Sequence, residues 1–123
     1  MSYAERHPVA VTTAADGSAT AYSRVITGKI SQIRYVKTDF TNGVDFTITS
    51  EATGETIWAQ LNVNASATVA PRQATHSNAG VAALYAGAGT AVNDHIVLAN
   101  DRVKIVIADG GDTKTGAFHI VTE

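Results

Sequence analysis

Asn42-Gly43-Val44-Asp45-Phe46-Thr47-Ile48-Thr49-Ser50, followed after Glu51–Glu55 by Thr56-Ile57-Trp58-Ala59-Gln60-Leu61, is the stretch that decides the fold. Asn-Gly is the strongest short hairpin punctuation, because both residues tolerate a positive φ. After it, Val44, Phe46 and Ile48 alternate with Asp45, Thr47 and Thr49, the period of a strand with one face buried. Gly54 closes a second short turn. Thr56–Leu61 then alternates again, with Ile57, Ala59 and Leu61 expected inward and Trp58 and Gln60 outward. Two alternating runs joined by turn residues read as an antiparallel hairpin.

Working outward, the same pattern recurs. Towards the N-terminus, His7–Thr13 places Val9 and Val11 on one face, and Asp16-Gly17 supplies a turn. Ala19–Thr27 and Lys29–Lys37 follow, and Gly28 between them marks a bulge or bend that lets one long strand change sheets. Towards the C-terminus, the continuous apolar run His95–Ala99 reads as a strand covered on both sides. Arg102–Ala108 alternates with Val103, Ile105 and Ile107 inward, and Thr115–Thr122 places Phe118 and Ile120 on one face. Ala65–Ala70 adds a short extended piece ending at Pro71. Composition agrees: 13 Val, 9 Ile and 16 Thr stand against 3 Leu and 1 Met. Branched side chains suit a pleated surface. The expectation is an all-β, antiparallel β-sandwich, jelly-roll-like, of about eight strands, forming a single domain over residues 1–123 with a flexible arm at 1–8.

One segment breaks the pattern. His76–Gly89 (HSNAGVAALYAGAG) is rich in Ala and Gly and too short for an independent helix. It is expected to be a long, partly ordered loop. Loops of that length in small domains usually carry function. Partner contacts are therefore expected at Arg72, His76, Leu84 and Tyr85, and at Trp58 if its outward position is exposed.

The 123-residue chain has no cysteine, which removes disulfides, thiolate metal sites and a cysteine nucleophile. Its formal net charge of −2 lacks the basic footprint of a nucleic-acid binder. No apolar run approaches membrane-spanning length. The start, MSYAERHPVA, shows no signal-peptide pattern, so none is expected.

Chemistry-bearing constellations are thin. His95 and His119 both fall on strands and, with Asp94, compose a metal-site candidate, set against plain strand histidines; His7 and His76 stand apart. Asp109-Gly-Gly-Asp112 resembles part of a calcium loop but lacks the remaining ligands of an EF-hand, so a hairpin turn is favoured. Asp45, Glu51 and Glu55 lie on or beside one hairpin and form a carboxylate candidate for glycoside hydrolysis, set against a solvated face. Arg24, Lys29, Arg34 and Lys37 interleave with Tyr22 and Tyr35, a pattern that on an open sheet suits single-stranded nucleic acid. There is no nucleophile elbow and no phosphate-binding loop. No cofactor, no metal and no enzymatic activity are expected.

The order DGSATAYSRVITGKISQIRYVKTDF, GVDFTITSEATGETIW, APRQATHSNAGVAALY and RVKIVIADGGDTKTGAFHI resembles a group of short β-rich proteins encoded among the head and structural genes of tailed bacteriophages. The resemblance runs from about Val11 to Val121. It implies a virion structural protein, made in the host cytoplasm and placed on the capsid surface. There it would act as a cement or decoration protein, a homotrimer bridging subunits of the major capsid protein. A neck or tail protein and a small carbohydrate-binding sandwich are the alternatives.

Overall fold

A computed structural model describes residues 3–87 and 89–123; Met1, Ser2 and Ala88 lie outside the described residues. Ten strands follow one another: β1 (Glu5–Thr12), β2 (Ala19–Tyr22), β3 (Ile26–Lys37), β4 (Val44–Ser50), β5 (Thr56–Val63), β6 (Ala67–Val69), β7 (Arg72–Ala74), β8 (Asn93–Asp101), β9 (Val103–Ala108) and β10 (Thr115–Thr122). No helix occurs among the described residues. The count exceeds the expected eight because Ala65–Ala70 contributes β6 and because Arg72–Ala74 pairs with the start of β8.

The strands form two antiparallel sheets. One has the order β1-β10-β3-β8-β7, with β6 also on β3; the other has the order β2-β9-β4-β5. The arrangement is sandwich-like. Inward residues of both sheets, among them Val9, Ile33, Phe46, Ile105 and Phe118, join one apolar cluster. At its centre Tyr35 stacks on Phe118, with ring centroids 5.1 Å apart, and Phe46 meets Phe118 edge-on at 5.1 Å. The alternation read in β1, β4, β9 and β10 is present: Val44, Phe46, Ile48, Val103, Ile105, Ile107, Phe118 and Ile120 are all buried. Each such side chain removes apolar surface worth roughly 1.5–3 kcal/mol from water.

Four expectations are corrected. The sheet change falls at Ser23–Val25, between β2 and β3, and not at Gly28. Gly28 lies inside β3, at φ +145, where the register with β8 shifts. A Cβ there would stand 3.2 Å from the Glu123 carbonyl oxygen. Second, β8 is covered on one side only: Ile96 and Leu98 are buried, and Val97 is exposed. Third, the arm expected at 1–8 is already strand from Glu5, paired with Thr122 of β10.

The fourth concerns β5. Ile48 pairs with Trp58, and the next residue, Thr49, pairs with Thr56, so Ile57 is an extra residue on β5. A second extra residue lies between Gln60 and Val63, where Asn62 adopts φ +56. A bulge lets consecutive residues face the same way and reverses the alternation beyond it. Ile57 and Trp58 therefore both point inward, whereas Leu61 is 75% exposed.

Candidate functional site

Trp58 is core. It is 9% exposed, packs edge-on against Phe46 with ring centroids 4.7 Å apart, and donates from Nε1 to Gln60 Oε1 at 3.1 Å. The exposed-anchor reading is thereby replaced. Arg72 is also occupied internally: its Nη1 donates to the carbonyl oxygens of Pro71 (2.8 Å), Ser31 (3.1 Å) and Ile30 (3.4 Å). It ties β7 to the middle of β3.

His76, Leu84 and Tyr85 do share one place, the connection from β7 to β8. The connection is the long, partly ordered loop expected there, crossed by two isolated bridges. His76 bridges Ala82 and Leu84 bridges Ala91. At the base Thr75 N donates to Val92 O, Ala83 N to Thr75 O, and Val92 N to Ala83 O, all within 2.9–3.1 Å. Small residues make this possible, since Ala and Gly let three backbone segments lie side by side with little to bury. The result is a finger whose apolar side chains have no core. Val81 is 65% exposed and Tyr85 82%, with Leu84 exposed as well. No Asp, Glu, Lys or Arg occurs between Arg72 and Asp94. Exposed apolar groups gathered without charge mark contact surfaces.

The histidine site does not assemble. β10 and β8 lie on opposite sides of β3, which separates His119 from His95. His95 instead sits between two carboxylates, with Nδ1 3.2 Å from Asp94 Oδ1 and Nε2 3.3 Å from Glu123 Oε1. His7 is buried with Nε2 3.0 Å from Thr122 Oγ1. Its Nδ1, like that of His119, has no partner in the chain. Among the described residues, no group of three or more metal-ligating side chains is gathered around one point.

The Asp109–Asp112 turn is held by structure-forming bonds. Thr41 Oγ1 donates to Asp109 O (3.0 Å), Gly110 N to Gly17 O (2.9 Å), and Thr113 Oγ1 to Asp112 Oδ1 (2.8 Å). Two of the carboxylate candidates are engaged and lie apart, and the third, Glu55, lines a cleft beside the β4–β5 turn. Asp45 accepts from Asn62 N at 2.9 Å, and Glu51 pairs with Arg102 at 2.5 Å. Six residues of strand separate them, a span of ~20 Å at 3.3 Å per residue. A glycosidase pair needs less than about 10 Å. The basic stretch is likewise no stacking platform, because Tyr35 is fully buried. Arg34 binds Thr68, Lys37 binds Asn42, and Arg24 pairs with Glu5.

Two features were not anticipated. One is Asp101, the last residue of β8. It is buried and accepts from Ser50 Oγ, from Ala52 N (3.0 Å) and from Arg102 N (2.7 Å). The Ser50 hydroxyl, followed by those backbone donors, holds its carboxyl below the ordinary 3.8. The other is the cleft beside it, a cavity of about 170 Å³ between the β4–β5 turn and the C-terminal half of β8. Ala52 and Ile96 to Ala99 of β8 supply its apolar lining, and Ser50, Thr53, Glu55 and Asp101 its polar lining. No single-strand signal predicts a gap between two sheets.

Compared with known protein families and with curated protein sequences, the chain matches none.

Proposed function

We propose that this chain is a structural protein of a tailed-bacteriophage virion, a capsid cement or decoration protein that bridges subunits of the major capsid protein. The observation that carries the reading is the Thr75–Val92 finger, an uncharged projection with exposed Val81, Leu84 and Tyr85. A segment that buries nothing of its own gains its packing from a neighbour. The resemblance of the sequence blocks to phage head and structural proteins supplies the setting.

The fold supports the same reading. The long strands pair in nested fashion, β1 with β10, β2 with β9, β3 with β8 and β4 with β5, and successive pairs alternate between the two sheets. Such nested pairing supports a jelly-roll reading, with β6 and β7 as insertions before β8. Capsid proteins are among the users of this architecture, as are lectins and cupins, so the fold is an analogy and the finger bears the argument. In this reading the protein acts as a homo-oligomer, a trimer by the resemblance, works through contacts and performs no reaction. It is made in the host cytoplasm and ends on the capsid surface.

Mass spectrometry of purified virions, split into head and tail fractions, tests this. Stoichiometric recovery with heads supports the cement reading. Recovery with tails or necks replaces it with a tail or neck protein, and absence from virions overturns it.

A further inference from the structure

The finger and the cleft are complementary in size and chemistry. Tyr85 is the largest side chain on the finger and the most exposed aromatic among the described residues. A tyrosine presents an apolar ring and a polar tip that seeks a hydrogen-bond partner when buried. The cleft offers both chemistries: apolar lining from Val97, Leu98 and Ala99 of β8, and the Glu55 carboxylate as an acceptor. Its volume of about 170 Å³ is that of one aromatic ring. Apolar cavities of ~150 Å³ take up benzene. The charges agree as well, since the finger carries no carboxylate to be repelled by Glu55 or Asp101.

Both features belong to one strand yet stand at its two ends. The finger leaves β8 before Asn93, whereas the cleft lies along Ile96–Asp101. The exposure of Tyr85 shows that it does not fill its own cleft. Beyond the β7 pairing, which ends at His95, no strand lies against the outer edge of β8 among the described residues, so the cleft is approachable from that side.

We infer that the chain self-associates head to tail, the finger of one copy placing Tyr85 in the β8 cleft of the next. The occupant is a second copy of this chain. Each copy gives one finger and receives one, which makes the contact heterologous: it builds a ring where the rotation closes and a filament where it does not. The inference rests on the reading of the finger as a contact segment, and it fails separately from the virion assignment. A protein that binds heads but stays monomeric in solution refutes only the self-association.

Sedimentation velocity on the full-length purified protein, from micromolar to submillimolar concentration, reads the outcome. Wild type is expected to assemble reversibly, and Tyr85→Ala to weaken assembly by about 30-fold or more, the loss of a buried aromatic anchor. Ala99→Trp fills the cleft from β8 and is expected to weaken assembly equally; Ala52→Trp fills it from the turn and serves where circular dichroism shows that the first variant does not fold. The decisive experiment mixes Tyr85→Ala, which retains only a cleft, with the cleft-filled variant, which retains only a finger. The expected product is a one-to-one dimer and nothing larger. A monomeric wild type, an undiminished Tyr85→Ala, cleft-filled variants that assemble like wild type, or a mixture that remains monomeric overturns the inference. Assembly lost in Tyr85→Ala alone indicates a finger-to-finger contact and overturns it too.

Discussion

The Ser50 hydroxyl donates to the buried Asp101 carboxylate, and through that bond the end of β4 is fastened to the corner where β8 passes into β9. The same carboxylate accepts the backbone N–H groups of Ala52 and Arg102. Removing it strands three donors in a half-buried corner. Asp101→Ala is therefore expected to cost about 2–3 kcal/mol at pH 7, measured by urea unfolding. Because the folded carboxyl is held below 3.8, its contribution is complete above the unfolded value and is lost as pH falls through the lower folded one. The gap between wild type and Asp101→Ala should narrow at pH 3. A gap that stays constant from pH 7 to pH 3 contradicts the assignment.

His7 gives a pH response in a separate window. Burial, aided by Arg24 and opposed by Glu5, keeps its imidazole below the ordinary 6.5. Below pH 6.5 the unfolded chain takes up a proton that the folded chain resists, so stability declines as pH falls until the folded value is passed. His7→Gln preserves a polar partner for Thr122 and removes the titration. Urea midpoints followed from pH 7.5 to pH 5 should fall more steeply in wild type than in His7→Gln. Parallel curves would rule out His7 as the source.

Legibility in the sequence tracked how local each cause is. Strands β4, β9 and β10 were readable because burial on one face imposes a period of two on neighbouring residues. The inward sets Val44-Phe46-Ile48 and Val103-Ile105-Ile107 follow from it. The bulges of β5 were not readable, since they depend on pairing with β4 rather than on the residues of β5 themselves. His95–Ala99 looked two-sided because Val97 and Ala99 are apolar, though both are exposed. Leu84 and Tyr85 stand out through the Ala/Gly composition around them, and both are exposed. Asp101 was missed because a buried, bonded aspartate and a solvent turn aspartate look alike in sequence.

The β5 bulge reverses the roles of two residues, and the reversal is measurable. Trp58 fills the space beside Phe46, so Trp58→Ala is expected to cost about 3–5 kcal/mol. Leu61 is largely exposed, and Leu61→Ser should change stability by no more than about 0.5 kcal/mol. As the chain's one tryptophan, Trp58 should emit at short wavelength and resist iodide quenching in the folded state. Strong quenching, or a costly Leu61→Ser, would restore the alternation read from sequence.

Gly116 lies in β10 under the ring of Phe40, which comes from the β3–β4 connection and stacks on Tyr35 with centroids 6.2 Å apart. A Cβ at position 116 would stand 2.5 Å from the Phe40 ring, closer than carbon atoms approach. Gly116→Ala must therefore push the ring out of its stack, an overpacking cost of about 1–3 kcal/mol. The cause is steric and specific to one neighbour, so it predicts a coupling. In a Phe40→Leu background the added methyl has room, and Gly116→Ala should become nearly neutral there. A double-mutant cycle by urea unfolding decides it, because residues in contact fail to add whereas independent ones do not. Additive costs would mean that the glycine is required for some reason other than the ring above it.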